Sequence, residues 1–415
     1  MNRLSIGIPE ISLRQLKAAL YVANEKSVTN AAVKLTRSQT AITKAINDLE
    51  KTLNATLFDR TSTGMCPTAY CDALINRINQ AQVSFSAAHL EYKKFRDGKE
   101  APHSAQFFAM EISYKRFAAF IALFETREFT ATAKLLNITK AAVYNSIRQI
   151  EDLLDLPLFE REPNSVKPTL LCAKMVVHIK LAFYQIRHAI EDIASLKGAT
   201  EGQVIIGTLP YTRTYLIPNA INGLLEKHAD IDVTTQEAPY INMENSLRCG
   251  DLDFIIGAIR PEQNITDIVT EELFQDRLSI IARKNHPLAN KTNLTKEELQ
   301  ELHWILPTKL APSRHLFDET MTKYGLNTPQ HVIETSSLSI IRGLLLNSDR
   351  VALLSEHQIH YDKLYNVLDI LPVKLGETYR PIGVTMRSKT QHSPAAKLFL
   401  EELREAAKNI ASLYD

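Results

Sequence analysis

The sequence predicts a chain of two parts. The front is two tandem three-helix modules, each closed by a two-stranded wing and a long trailing helix; the rear is α/β. Three observations support this. Arg14–Tyr70 written over Lys115–Leu171 registers without a gap at an offset of 101 residues. Ala18 meets Ala119, Thr29 meets Thr130, Ala32 meets Ala133, Ile46 meets Ile147, Glu50 meets Glu151, Leu57-Phe58 meet Leu158-Phe159 and Pro67-Thr68 meet Pro168-Thr169. From Gly202 onward, short apolar runs alternate with helical stretches, the pattern of strands interleaved with helices. The length of 415 residues exceeds one average core and suggests roughly three domains.

In the first copy, 13–24 reads as a helix with Leu16, Ala19, Leu20 and Ala23 on one face. Ser27 stands in capping position before a short helix over 28–35, and Ser38 before a third helix ending near Leu53. Ala41, Ile42, Ala45, Ile46 and Leu49 recur at the three- and four-residue spacing of a half-buried helix. Leu57-Phe58 opens an extended segment, 61–65 turns with Gly64, and Pro67 stops the wing. A trailing helix follows over 69–95. The polar stretch 96–106 reads as a linker. The second copy repeats the order at 114–125, 129–136, 139–154, a wing at 158–168 and a helix over 170–196. Val176, Ile179, Ala182, Ile186 and Ile190 form a stripe on that last helix, which reads as core or, more often for a long helix between domains, as a seam that pairs with its twin in a dimer.

In the rear, strands are expected at 203–207, 232–236, 254–257, 278–283, 304–307, 331–334 and 351–354. Helices are expected at 216–228, 243–250, 294–302 and 338–346, and the sheet is expected to be largely parallel. The expected domains are 1–97, 107–198 and 202–412.

Net charge is +1 but unevenly spread: residues 1–100 hold 14 Lys+Arg against 9 Asp+Glu, and 101–200 hold 12 against 10. A basic front before an acidic rear suggests that the front meets a polyanion. No run approaches the ~18 apolar residues of a membrane helix. The N-terminal MNRLSIGIPEISLRQ lacks an apolar core of signal-peptide length, so the expectation is a cytoplasmic protein with no membrane partner. Cys66, Cys71, Cys172 and Cys249 have neither zinc nor redox spacing and read as reduced thiols, with no metal and no cofactor.

A helix-turn-helix reads double-stranded DNA by placing the first turns of its last helix in the major groove. Outward residues there must be short hydrogen-bonders or cations. Copy one offers Ser38, Gln39, Thr40, Thr43, Lys44 and Asn47. Gln bonds adenine in two places, Thr bonds a base or touches a thymine methyl, and Ser38 reaches a phosphate. Copy two offers Thr139, Lys140, Tyr144, Asn145 and Arg148, bulkier and more cationic. Arg60 and Arg161 either hold phosphate or tie each wing to its module. Glu50 and Glu151 read as local caps, and Leu57-Phe58 and Leu158-Phe159 as core.

The run LRQLKAALYVANEKSVTNAAVKLTRSQTAITKAINDLEKTLNATLFDRT, with its Ser-Gln opening and LFDR ending, resembles the LysR-type transcriptional regulators. So does the later pattern GQVIIGTLPYTRTYLIP, LRCGDLDFIIG and HPLA. The resemblance covers nearly the whole chain, except that the usual member has one winged module. It implies DNA contacts from Ser38, Gln39, Thr40, Thr43 and Lys44 and from the wing at 60–68. Copy two departs from the pattern with Thr139-Lys140 for Ser-Gln and Glu162 after Arg161, which leaves two readings open: a second DNA contact, or a spacer and dimer platform.

For the rear, the resemblance implies two α/β subdomains like a periplasmic binding protein, with a small-molecule effector in the cleft. Ligands of α/β folds sit beyond the carboxyl ends of strands. Pro210, Tyr211, Thr212 and Arg213 follow the first strand, Gly257 follows another and by the resemblance belongs to the hinge region, and Arg260, Thr308, Ser336 and Ser337 lie on further loops. The expected partners are therefore DNA, an effector suited to hydroxyl and cationic side chains, and the chain itself as homodimer or homotetramer. No nucleophile–base pattern surrounds His286, His303, His315 or His357, so no enzyme is expected. An architectural DNA binder whose rear only oligomerises is the alternative, and effector dependence separates the two.

Overall fold

Hydroxyl caps set the helix boundaries of the front half where the sequence places them. In the computed structural model, which describes residues 9–61, 64–260, 267–291, 294–309, 311–373 and 378–414, α1 spans Leu13–Glu25, α2 Val28–Lys34 and α3 Gln39–Leu53. Ser27 accepts the amide of Asn30 and Ser38 that of Ala41, satisfying donors that a helix start leaves bare. The wing pairs β1 (Phe58–Thr61) with β2 (Gly64–Pro67) antiparallel, and Thr68 caps the 27-residue α4 (Ala69–Phe95).

After the short α5 (Ser104–Phe108) the order repeats: α6 (Tyr114–Thr126), α7 (Phe129–Leu136), α8 (Lys140–Leu154), β3 (Phe159–Arg161), β4 (Val166–Pro168) and α9 (Leu170–Leu196). The backbones match in detail. Left-handed residues stand at Lys26 and Arg127, Thr36 and Asn137, Asn54 and Asp155, and Asp97 and Gly198, every pair 101 residues apart. Glu50 accepts the amides of Leu57 and Phe58 at 2.7 and 3.3 Å, and Glu151 accepts those of Leu158 and Phe159 at the same distances. Both glutamates thus brace their wings. Leu57, Phe58 and Leu158 are core, and Phe159 packs against that core while half-buried.

Two expectations change here. The supposed linker ends in α5, whose Phe107 and Phe108 are buried, Phe107 lying 5.0 Å from the Phe117 ring. Val176, Ile179, Ala182 and Ile186 of the stripe on α9 are buried on the side that meets α4 of the same chain, while Ile190 stays exposed. The helices run antiparallel, with Arg77 beside Asp192, Phe85 beside Phe183 and Glu91 beside Lys174. The physical reason is that α4 carries the same apolar register, and a short tether gives it a high effective concentration. One continuous core therefore runs through both winged modules.

That core protects two thiols. Burial pushes Cys71 up to about 12 and drives Cys172, its match in α9, higher still. Iodoacetamide is expected to label exposed Cys66 in the native protein and to reach Cys71 and Cys172 only on unfolding. Rapid native labelling of either would show that the face between α4 and α9 is open.

The chain divides into two compact units, Met1–Gly202 with Cys249–Asp251, and Gln203–Arg248 with Leu252–Asp415. The second unit holds β5 (Gly202–Thr208), α10 (Leu216–Lys227), β6 (Ile231–Gln236), α11 (Tyr240–Cys249), β7 (Phe254–Ala258) and β8 (Ile268–Arg283). It continues with α12 (Lys296–Gln300), β9 (Trp304–Leu306), α13 (Pro312–Lys323), β10 (Ile333–Glu334), α14 (Leu338–Leu346) and β11 (Val351–Ser355). The chain then closes through α15 (His360–Leu364), β12 (Leu368–Ile370), β13 (Tyr379–Arg387) and α16 (Pro394–Tyr414).

The nine-stranded sheet runs β10-β9-β11-β8-β13-β7-β5-β6, with β12 on β8. It is mixed, not largely parallel. Parallel pairs lie on each flank, while β8 and β13 cross the middle antiparallel to each other and to their neighbours. The expected strand at 278–283 is only the end of β8, whose first half is half-buried or exposed apart from Phe274. Separate cores form around Phe254 and Phe399 and around Trp304 and Phe317, so the two long strands join two lobes.

Candidate nucleic-acid interface and effector cleft

The first turns of α3 put Gln39, Thr40, Lys44 and Asn47 on the exposed face, while Ile42, Ile46 and Leu49 bury the other. Ser38 is exposed too, but its hydroxyl is engaged with the Ala41 amide and lies 3.0 Å from that of Thr40. Thr43 is half-buried and faces the wing. Thr43, Asn47, Arg60 and Gly64 line a groove of about 390 Å³ between helix and wing.

The matching groove in the second copy is about 690 Å³ and is lined by Lys140, Tyr144, Asn145 and Arg161. Lys140, Tyr144, Asn145 and Arg148 are all exposed on α8. Arg161 donates to the Tyr144 hydroxyl at 3.1 Å, so in this copy the arginine does tie wing to helix. Glu128 and Glu162 stand where the first copy has Ser27 and Thr61, bringing two carboxylates to the larger groove.

In the rear unit, Pro210, Tyr211 and Ser336 come together with Pro307, Thr335 and Gln358 around a cavity between the lobes. Its volume is about 10 Å³, at the lower limit of what one water needs. The other sequence candidates lie elsewhere. Thr212 is fully buried and donates to the carbonyls of Leu209 and Ile256. Arg213 is spent on the Thr208 carbonyl and on Glu237. Arg260 stacks 4.1 Å from the Tyr240 ring centroid. Thr308 is exposed off the cavity, and Ser337 occupies the first position before α14 without a side-chain cap bond. Gly257 lies on β7 paired with Gly383 of β13, and a side chain there would strike Leu209.

Behind Tyr211 lies a buried polar cluster that sequence reasoning missed. Asp276 on β8 and Arg380 on β13 are cross-strand partners, with guanidinium nitrogens 2.7 and 2.9 Å from one carboxylate oxygen. Ser355 donates to Asp276, and His357 lies 3.2 Å from it while its other nitrogen bonds the Tyr211 carbonyl at 2.7 Å. The Arg380 guanidinium sits 3.8 Å from the Tyr211 ring centroid, and the Tyr211 hydroxyl reaches Ser313 at 2.5 Å. Burial would raise the Asp276 carboxyl, but the His357 bond, the Arg380 charge and the Ser355 bond outweigh it and hold it below the usual range. Ser, His and Asp are all present, yet the serine bonds the aspartate and not the histidine, and all are 3% exposed or less. That is a strut at the junction of the lobes, without the serine–histidine hydrogen bond a nucleophile requires. No sequence signal marks it, because Asp276 and Arg380 alone lie 104 residues apart.

Winged helix-turn-helix modules ahead of a two-lobed domain with an interlobe cavity define a DNA-binding protein that answers to a small molecule. A model of the bacterial regulatory helix-turn-helix proteins of the lysR family matches residues 13–72 and again 114–172, and a LysR substrate binding domain matches 197–408. The chain belongs to the lysR family. It is 32% identical over 394 residues to the HTH-type transcriptional regulator GalR of Pseudomonas putida, covering 95% of this chain and 97% of that one. The regulator PcaQ of Agrobacterium fabrum is 26% identical and covers 95% of itself but 71% of this chain, leaving room here for one more winged module. Among solved structures, full-length OxyR of Pseudomonas aeruginosa shares the fold at a TM-score of 0.55 and 20% identity, over 72% of this chain and 95% of its own. CbnR does so at 0.52 and 14%, over 71% and 99%. The protein is a ligand-responsive, DNA-binding regulator of transcription and not an enzyme.

Proposed function

We propose that α3 reads an operator through Gln39, Thr40 and Thr43, with Ser38, Lys44 and Arg60 on the flanking phosphates, and that the second winged module arose by duplication of the first. The observation that carries the reading is the exposed row at the start of α3 backed by a fully buried face. Gln39→Ala is expected to cost about 1–3 kcal/mol of discrimination at one base pair. Lys44→Ala is expected to weaken all sequences alike and to lower the salt slope by about one. Binding of operator and mutated duplexes across a salt series checks both; unchanged specificity in Gln39→Ala removes that residue from the readout.

The effector site is the cleft around Pro210, Tyr211 and Ser336, and at about 10 Å³ it admits an effector only when the lobes part. Parting them breaks the Tyr211 bonds to Ser313 and His357. A ligand that displaces the Tyr211 ring meets Arg380, whose Nη1 is buried without a hydrogen-bond partner among the described residues. This favours an anionic effector. No helix among the described residues is long and apolar enough to cross a membrane. Our reading is of a cytoplasmic regulator acting as a homodimer or homotetramer.

A further inference from the structure

The contacts between the two winged modules are reciprocal. At the end of α4, Arg96 donates to the Leu154 and Asp155 carbonyls at the C-terminus of α8, at 3.3 and 3.1 Å. At the end of α9, Lys197 donates to the Leu53 carbonyl at the C-terminus of α3, at 2.9 Å. Lys197 is the 101-residue match of Arg96, and Leu53 is the match of Leu154. The same exchange holds along the helices. Arg77 of α4 pairs with Asp192 of α9 at 2.7 Å, and their matches, His178 of α9 and Glu91 of α4, lie close enough for the carboxylate charge to act on the ring, without an ion pair. The buried α4 residues Cys71, Leu74, Ile78, Ala81, Phe85, Ala88 and Tyr92 match Cys172, Met175, Ile179, Ala182, Ile186, Ala189 and Ile193, all buried.

A head-to-tail stack of repeats would join two different surfaces. Here one surface meets itself, which only a two-fold rotation produces. The rotation that exchanges α4 with α9 also exchanges α3 with α8. Each reading helix is fastened at its C-terminus by a cation from the other module, where a positive charge suits the helix end. The orientation of one reading head to the other is therefore set within a single chain.

We propose that one chain is an internal dimer that grips two operator elements at once. The elements are inverted in backbone geometry and different in sequence. Gln39, Thr40, Thr43 and Lys44 read one. Lys140, Ala141, Tyr144, Asn145 and Arg148, their matches with Arg148 standing for Asn47, read the other. The two-fold of the modules coincides with the local two-fold of the duplex backbone, as in two-chain helix-turn-helix dimers. The matched buried residues of α4 and α9 are consumed inside the chain, so a second copy is not needed to complete this unit. The proposal rests on the DNA-binding reading above.

The test uses the full-length protein and duplexes it selects from a randomised pool, with footprinting and with native mass spectrometry to count chains per duplex. The expected result is two dissimilar elements per chain, centred about 10 base pairs or a multiple apart. Gln39→Ala/Lys44→Ala is expected to lose protection of one element and Lys140→Ala/Arg148→Ala of the other, each weakening binding about ten- to a hundredfold. All four side chains are exposed, so both variants keep the fold. One element per chain, or a footprint unchanged in Lys140→Ala/Arg148→Ala, overturns the internal dimer and leaves DNA binding by the first module standing. No selected duplex at all overturns both.

Discussion

Asp276→Ala is expected to destabilise the rear unit by about 3–5 kcal/mol, because it strands the Arg380 guanidinium in a site only 6% exposed. The cost is that of a buried charge without a partner, not of one lost hydrogen bond. Asp276→Ala/Arg380→Met is therefore expected to recover most of the loss, since two apolar residues replace two ions together. Urea unfolding of the three proteins, following the transition of the rear unit, checks this; a loss below 1 kcal/mol in the single variant would show that water reaches the cluster. The pH dependence follows from the depressed Asp276 carboxyl. Its contribution is fully present above the ordinary carboxylate range and disappears as pH falls through the lower folded value. The Tyr211 loop hangs on the same cluster through His357, so the single variant is also expected to alter the effector response.

Arg77→Met is expected to have an effect of similar size, about 3–5 kcal/mol, on the front unit. Arg77 is fully buried between α4 and α9, doubly bonded to Asp192 and bonded to Gln185 at 3.0 Å. Replacing it leaves Asp192 facing an apolar helix. Restoration by Arg77→Met/Asp192→Leu, with near-normal operator affinity, would show that the pair sets no geometry the helices lack. Restored stability with weakened operator affinity would instead assign the ion pair to holding the two modules in register. Further along the same helix pair, the rings of Phe85 and Phe183 with that of Phe117, centroids 5.3–6.2 Å apart, supply the apolar part of the clasp.

The front half was largely legible in the chain because its signals are local. Hydroxyl caps, three- and four-residue apolar spacing and Pro-Thr stops each act within a few residues. The helices at 69–95, 129–136 and 170–196 accordingly fall where periodicity puts them. The exposed row Gln39, Thr40 and Lys44 was legible for the same reason, since its outward direction follows from the buried positions between them. The rear was read less well. A three-residue strand such as Leu368–Ile370 or a half-exposed one such as the first part of β8 carries little pattern of its own and forms only when a partner strand supplies hydrogen bonds. Of the effector candidates, Pro210, Tyr211 and Ser336 meet at the cavity, while Thr212 and Arg213 are consumed by backbone carbonyls that no spacing rule could locate.

Local chemistry thus decided the winged module, its repetition and the side chains it turns outward, because caps, helical faces and turns are short-range properties of the residues that form them. Tertiary structure decided what those modules do to each other and where the rear unit keeps its charge. The stripe on α9 is compatible with a partner in another chain or in the same one. The Arg77–Asp192 pair and the Phe85–Phe183 contact show that the partner is α4. Asp276, Ser355, His357 and Arg380 are unremarkable in the chain and become one buried cluster only when β8, β11 and β13 assemble. Long-range pairing of charges has no sequence period, so it is visible only in the folded molecule.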